Sequence, residues 1–80
     1  LALARRLAAR RVGSVTMSFF HVVEQDDGSW SCNRGREHFG AHAQLENAIE
    51  YTKVIAGEHG PSEVFVHRLD GHVQSIATFD

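Results

Sequence analysis

From Met17 onward, apolar and polar positions begin to alternate. Ser18–Glu24 reads SFFHVVE and Ser29–Asn33 reads SWSCN, with QDDG between them. Runs of β-branched and aromatic residues at period two predict strands, and Asp27-Gly28 predicts the two-residue type I′ turn that joins them as a hairpin. Residues 34–43, RGREHFGAHA, hold two glycines and predict a loop, with at most a short extended piece at Glu37–Phe39. The period then changes. In QLENAIEYTKVIAGEHGP, Leu45, Ala48, Ile49, Thr52, Ile55 and Ala56 recur at i, i+3, i+4, i+7, i+10 and i+11, one face of an α-helix. Gly57 or Gly60 ends that helix and Pro61 bars its continuation. SEVFVHR and HVQSIATF follow, two strands around Asp70-Gly71. The expected fold is α+β in the order β-β-α-β-β, a four-stranded antiparallel sheet of two hairpins with one helix packed on one face.

Strand parity assigns the faces. A two-residue first turn groups Phe19, His21, Val23, Trp30 and Cys32, and leaves Phe20, Val22, Glu24, Ser31 and Asn33 opposite. In the second hairpin, either a two-residue or a four-residue loop groups Val64, Val66, Arg68, Val73, Ser75, Ala77 and Phe79 against Phe65, His67, Leu69, His72, Gln74, Ile76 and Thr78. A helix with one apolar stripe covers one side of a sheet, and the sets around Trp30 and Val66 suit it best. Phe20, Val22, Phe65 and Ile76 are then left uncovered beside His67, a patch of a size that monomers rarely leave open. These five residues are the candidate interface, for a homodimer or for another protein.

Length supports that reading. A single domain within 80 residues buries only about 60% of its unfolded surface, so association that covers more apolar area contributes to stability. Charge divides the chain in two. LALARRLAARRVGSVT, residues 1–16, holds Arg5, Arg6, Arg10 and Arg11 and no acid, whereas residues 17–80 hold four basic residues and all ten acidic ones. Residues 1–16 read as a flexible basic tail outside the domain of residues 17–80. The alternatives are a nucleic-acid arm or a targeting peptide. No run approaches the roughly 20 apolar residues of a membrane span. A single cysteine, Cys32, excludes an intramolecular disulfide and fits a reducing, cytoplasmic setting.

The chemistry-bearing residues point away from catalysis. His67 and His72 share a face, but a zinc site usually takes three protein ligands. His21 is placed on the other face, and His38 and His42 fall in a loop, so neither a metal nor another cofactor is expected. Cys32 sits in an apolar strand, where burial disfavours a thiolate. The glycine patterns of phosphate-binding loops are absent, and no enzyme is expected. The histidines read as exposed strand residues or interface hydrogen-bonders that make association sensitive to pH near 6.5. The rival is nucleic acid, with Phe20 and Phe65 stacking bases and Arg5, Arg6, Arg10, Arg11, Arg34 and Arg36 on phosphates, and with Arg68 close to Arg34 and Arg36. Against it stands the acidic excess of residues 17–80.

With these elements in place, residues 20–79 resemble a family of short bacterial proteins, domain of unknown function 2188. The likeness rests on FHVVEQDDGSW, on the helix containing Ala48, and on VFVHRLDGHVQ. The family shows a His-Val opening, a Gly-Trp turn exit and a His-x-x-Asp-Gly-x-aliphatic close. Two departures stand out. Ser29 is inserted between Gly28 and Trp30, which bears on the turn type. Gln44-Leu45-Glu46-Asn47 stands where a Thr-x-x-Glu capping box is common, so the helix start loses that cap. The resemblance implies a fold and brings no catalytic residues with it.

Overall fold

The computed structural model describes residues 16–80. The elements are β1 (Ser18–Glu24), β2 (Trp30–Arg34), β3 (Glu37–His42), α1 (Leu45–Glu58), β4 (Ser62–His67) and β5 (Val73–Phe79). They form one helix against one five-stranded sheet, ordered β3-β2-β1-β4-β5. The helix follows the predicted stripe: Ala48, Thr52 and Ala56 are buried, and Leu45, Ile49 and Ile55 pack beside them. Gln44 precedes it with no side-chain cap, as the missing Thr-x-x-Glu box implies. Gly60, at φ 76°, turns the chain after His59 and leads into Pro61.

Two features of the expected sheet are corrected. The segment read as a loop supplies a fifth strand, β3, antiparallel to β2. Two glycines do not prevent this, because Gly35 takes its φ of 57° in the tight turn between β2 and β3. Gly40 lies within the strand, where a side chain would face Tyr51. The sheet is also mixed rather than antiparallel throughout. The two hairpins meet edge to edge through β1 and β4, which run parallel, with His21 level with Phe65 and Val22 with Val66. A helix between the two hairpins is what makes that possible, since parallel neighbours need a long crossover connection.

The faces of β1 are also reversed from expectation while those of β2 are kept, and the turn explains why. Gln25 N–H donates to Ser29 O at 2.8 Å and Gly28 N–H donates to Gln25 O at 3.0 Å. The loop is therefore three residues, Asp26-Asp27-Gly28, with Gly28 at φ 87°, the arrangement of a turn followed by a left-handed residue. An odd loop shifts the pairing by one, so Val22 stands opposite Cys32 and Glu24 opposite Trp30. Phe20 and Val22 then join Cys32, Trp30, Val64 and Val66 beneath the helix, and neither retains any exposed surface. They are core residues, not interface residues.

The second hairpin repeats the device. Arg68 N–H donates to His72 O and Gly71 N–H to Arg68 O, both at 2.9 Å, around the three-residue loop Leu69-Asp70-Gly71. His67 therefore pairs with Val73 and Phe65 with Ser75, so Val73 and Ser75 lie on the opposite face from the one expected. A bulge between Val64 and Phe65 then restores the expected pairing of Val64 with Ala77. Ile76 is the extra residue at that bulge and packs against the core, so it too leaves the candidate interface. Phe39 plays the same part in β3, where the register shifts at Cys32/Asn33. Its ring stacks on that of Phe20 with centroids 5.8 Å apart.

Candidate functional site, the helix-free face of the sheet

With the register fixed, the central strands β1 and β4 turn Phe19, His21 and Val23 together with Glu63, Phe65 and His67 away from the helix. The parallel pairing staggers the rings so that they form a continuous strip. Phe19 and Phe65 lie 6.1 Å apart between centroids. His21 stacks on Phe65 at 5.7 Å, nearly parallel at 17°, and His21 and His67 lie 4.9 Å apart. His21 Nδ1 and His67 Nε2 approach to 2.8 Å, a hydrogen bond in which one ring donates and the other accepts. Burial, and then the neighbouring His67, hold the pKa of His21 below the usual imidazole value. Both effects oppose placing a proton on a partly enclosed ring beside a second imidazole.

Towards β3 the same face becomes polar. Gln25 and Asn33 both donate side-chain N–H groups to Ser31 Oγ, at 3.1 and 3.0 Å, and His38 Nδ1 contacts Asn33 Oδ1 at 3.0 Å. Ser31, Gln25, His38 and Ala41 border a wide, open depression of about 440 Å³ that reaches the Asp26-Asp27 turn. On the other flank, Ser75 Oγ donates to Glu63 Oε2. The face is thus a strip of aromatic and imidazole rings bordered by short polar groups on both sides.

Of the candidate interface residues, the structure brings together Phe65 and His67 and removes Phe20, Val22 and Ile76. Phe19 and His21 take their place. Sequence parity assigned them to the helix side because both faces of β1 are apolar, so alternation alone fits either register. The available signal was Ser29, whose insertion between Gly28 and Trp30 sets Trp30 one place further from the three-residue loop and so opposite Glu24.

Of the arginines proposed to contact phosphates, Arg34 and Arg36 lie among the described residues, with Arg68 expected close to them. Arg34 lies 5.6 Å over the Phe20 ring and pairs with Glu37 at 2.6 Å. Arg68 lies 5.6 Å over Trp30. Trp30 and Arg34 are the two ends of β2, so Arg34 and Arg68 do not form the expected cluster, and Arg36 sits exposed in the β2–β3 turn. Arg5, Arg6, Arg10 and Arg11 lie outside the described residues.

The remaining reactive groups are occupied structurally. Cys32 is buried, its Sγ 3.8 Å from Ala48 O, and burial pushes the thiol pKa up. His72 pairs with Asp70 at 2.9 Å rather than with His67, His59 Nδ1 bonds Ile55 O, and His42 packs on Tyr51. Among the described residues no group of three or more His, Cys, Asp or Glu side chains converges on a common point, and no helix is long and apolar enough to cross a membrane.

Compared with known proteins, residues 20–79 match the family described as an uncharacterized protein conserved in bacteria (DUF2188). No curated protein and no solved structure matches the chain.

Proposed function

For a chain that belongs to the DUF2188 family of uncharacterised bacterial proteins, we propose the role of a non-enzymatic interaction module that self-associates through the helix-free face of its sheet. The observation that carries this is the Phe19, His21, Phe65 and His67 strip, laid along the two central strands with no described Lys or Arg beside it. Phe19 is 47% exposed although it sits mid-sheet, and a second copy would remove it from water.

Two copies suit each other on this face. Apolar rings run down the middle and short polar groups flank them, so a two-fold stacking sets rings on rings and hydroxyls on amides, the self-complementarity an isologous dimer requires. Sheets pack face to face at about 10 Å. Five strands spaced about 4.8 Å apart and about 20 Å long present roughly 500 Å² in projection. Side-chain relief raises that toward the roughly 800 Å² per partner of stable interfaces. Stacking of bases is the competing use of the rings. Among the described residues Arg34 and Arg68 are engaged elsewhere, with Phe20 and Glu37 and with Trp30, and the acidic excess of residues 17–80 repels a polyanion.

Sedimentation equilibrium over a wide concentration range tests the proposal. The wild-type chain is expected to dimerise, and Phe65→Glu to give a monomer with an unchanged circular dichroism spectrum. A wild type that stays monomeric at every concentration, or a Phe65→Glu variant that keeps the dimer mass, would overturn it. A salt-dependent mobility shift with generic single-stranded RNA, abolished by Phe65→Glu, would favour the competing use.

A further inference from the structure

We propose that His21 and His67 form a two-imidazole chelate for a divalent transition-metal ion of the copper(II) or nickel(II) class. The chelate lies within one chain, on the face that the proposed dimer covers, so it belongs to the free protomer and ion binding competes with association.

The sequence pairs His67 with His72 and finds no third ligand. The three-residue turns separate those two, giving His72 to Asp70 and bringing His21 beside His67 across the parallel seam. The two rings are offset along the strands, since His21 is level with Phe65 while His67 is level with Val23. One ring therefore presents Nδ1 and the other Nε2, and the two nitrogens meet 2.8 Å apart.

That separation lies near what one coordination geometry needs. Metal–imidazole bonds of about 2.0–2.1 Å set at a right angle place two nitrogens about 2.8–3.0 Å apart, and at a tetrahedral angle about 3.3–3.4 Å apart. The observed value is that of the hydrogen bond, with the two nitrogens facing each other. A rotation of the rings that turns both lone pairs onto one ion, at little change in separation, gives two neighbouring positions of a square-planar or tetragonal set, the preference of Cu²⁺ and Ni²⁺. Both backbones are fixed in the centre of the sheet rather than in a loop, so binding requires the two rings to turn and no backbone to be ordered.

Proton accounting is simple. In the neutral pair a single N–H lies between the rings. For the ion to replace it, the donating ring moves that hydrogen to its other nitrogen, a change of tautomer with no net proton release. Among the described residues no further His, Cys, Asp or Glu completes the set, so water fills the other positions. Affinity then follows the general order for nitrogen donors, with Cu²⁺ bound more tightly than Ni²⁺ or Zn²⁺.

The test uses the full chain without an affinity tag, titrated with Cu²⁺ alone. Paramagnetic broadening at substoichiometric Cu²⁺ should strike the imidazole resonances of His21 and His67 before those of His38, His42, His59 and His72. The electron paramagnetic resonance spectrum of the first equivalent should show coupling to two imidazole nitrogens. His67→Gln should weaken binding at least tenfold with an unchanged circular dichroism spectrum, and His72→Gln should leave binding unchanged. First-equivalent broadening centred on His72 or any other histidine, or wild-type affinity in His67→Gln, would overturn the proposal. Should His67→Gln fail to fold, the broadening pattern of the wild type decides.

Discussion

Asp27 and Asp70 occupy the same place in two copies of one turn. Each accepts, through Oδ1, the backbone N–H two residues on, from Ser29 at 2.9 Å and from His72 at 3.0 Å. Each precedes a glycine with positive φ, 87° at Gly28 and 96° at Gly71. The two hairpins are thus closed by one local device, in which a carboxylate replaces a backbone acceptor and the glycine supplies the left-handed step.

A pH dependence follows from those carboxylates. The Ser29 hydroxyl and then its N–H hold Asp27 below its ordinary value of 3.8, and the N–H and then the side chain of His72 do the same for Asp70. A folded pKa below the unfolded one means stabilisation that is present above about pH 4. It is lost as pH falls through the lower folded value. Urea midpoints measured from pH 5 to pH 2 should fall for the wild type, and the fall should be shallower in the Asp27→Asn, Asp70→Asn double variant.

Gly28→Ala should lower stability by about 1–2 kcal/mol, the cost of a left-handed residue with a Cβ. Nothing lies within 4 Å of the added carbon, so the loss is entirely backbone strain. Gly40→Ala is the control, because its Cβ would make an ordinary contact with Tyr51 at 3.7 Å. Thermal melts should separate the two, with Gly40→Ala close to wild type.

Thr52→Val should stabilise the domain. Thr52 is fully buried on the inner face of α1, and its hydroxyl meets no oxygen or nitrogen partner among the described residues, only the weakly hydrogen-bonding thiol of Cys32. Replacing an unsatisfied buried hydroxyl by a methyl of similar shape recovers about 1 kcal/mol. In a domain of this size that raises Tm by roughly 4–8 °C. A lower Tm for Thr52→Val would show that the hydroxyl contributes more than its burial costs.

The corrected faces predict opposite behaviour for two phenylalanines. Phe20 has no exposed surface, and Phe20→Ala should cost about 3–5 kcal/mol, a large part of the 5–15 kcal/mol typical of a folded domain. Phe65 lies partly exposed on the far side of the sheet, and Phe65→Ala should cost about 1 kcal/mol. Urea unfolding followed by Trp30 fluorescence would rank them.

What the sequence revealed and what it concealed have the same physical origin. The helix was legible because its stripe has one solution: Ala48, Thr52 and Ala56 bury together in any register. β4 was legible for a similar reason, with Val64 and Val66 buried and Phe65 half-exposed. β1 was not, because Phe19 and Phe20, like His21 and Val22, can exchange faces at little cost in pattern. The length of the turn decides between them, and the three-residue loop Asp26-Asp27-Gly28, with Ser29 between it and Trp30, sets it. The parallel seam was hidden because pairing between distant strands leaves no local mark. The candidate strip inherits both ambiguities, so the sequence places Phe65 and His67 on the helix-free face and assigns Phe19 and His21 to the other.

The parallel seam also sets an order of assembly. Each hairpin closes through its own turn, and a hairpin forms in about 1–10 μs. The β1–β4 contacts join residues as far apart as His21 and His67, 46 positions along the chain, so they must wait until β2, β3 and α1 have shortened the path between them. The seam is therefore the late, slow step of folding. Because it lies at the centre of the sheet, its amides should exchange with solvent only through global unfolding, while β3 and β5 at the edges open on their own. The two imidazoles meet only after that step, so their contact reports completed folding in a way that neither hairpin alone can.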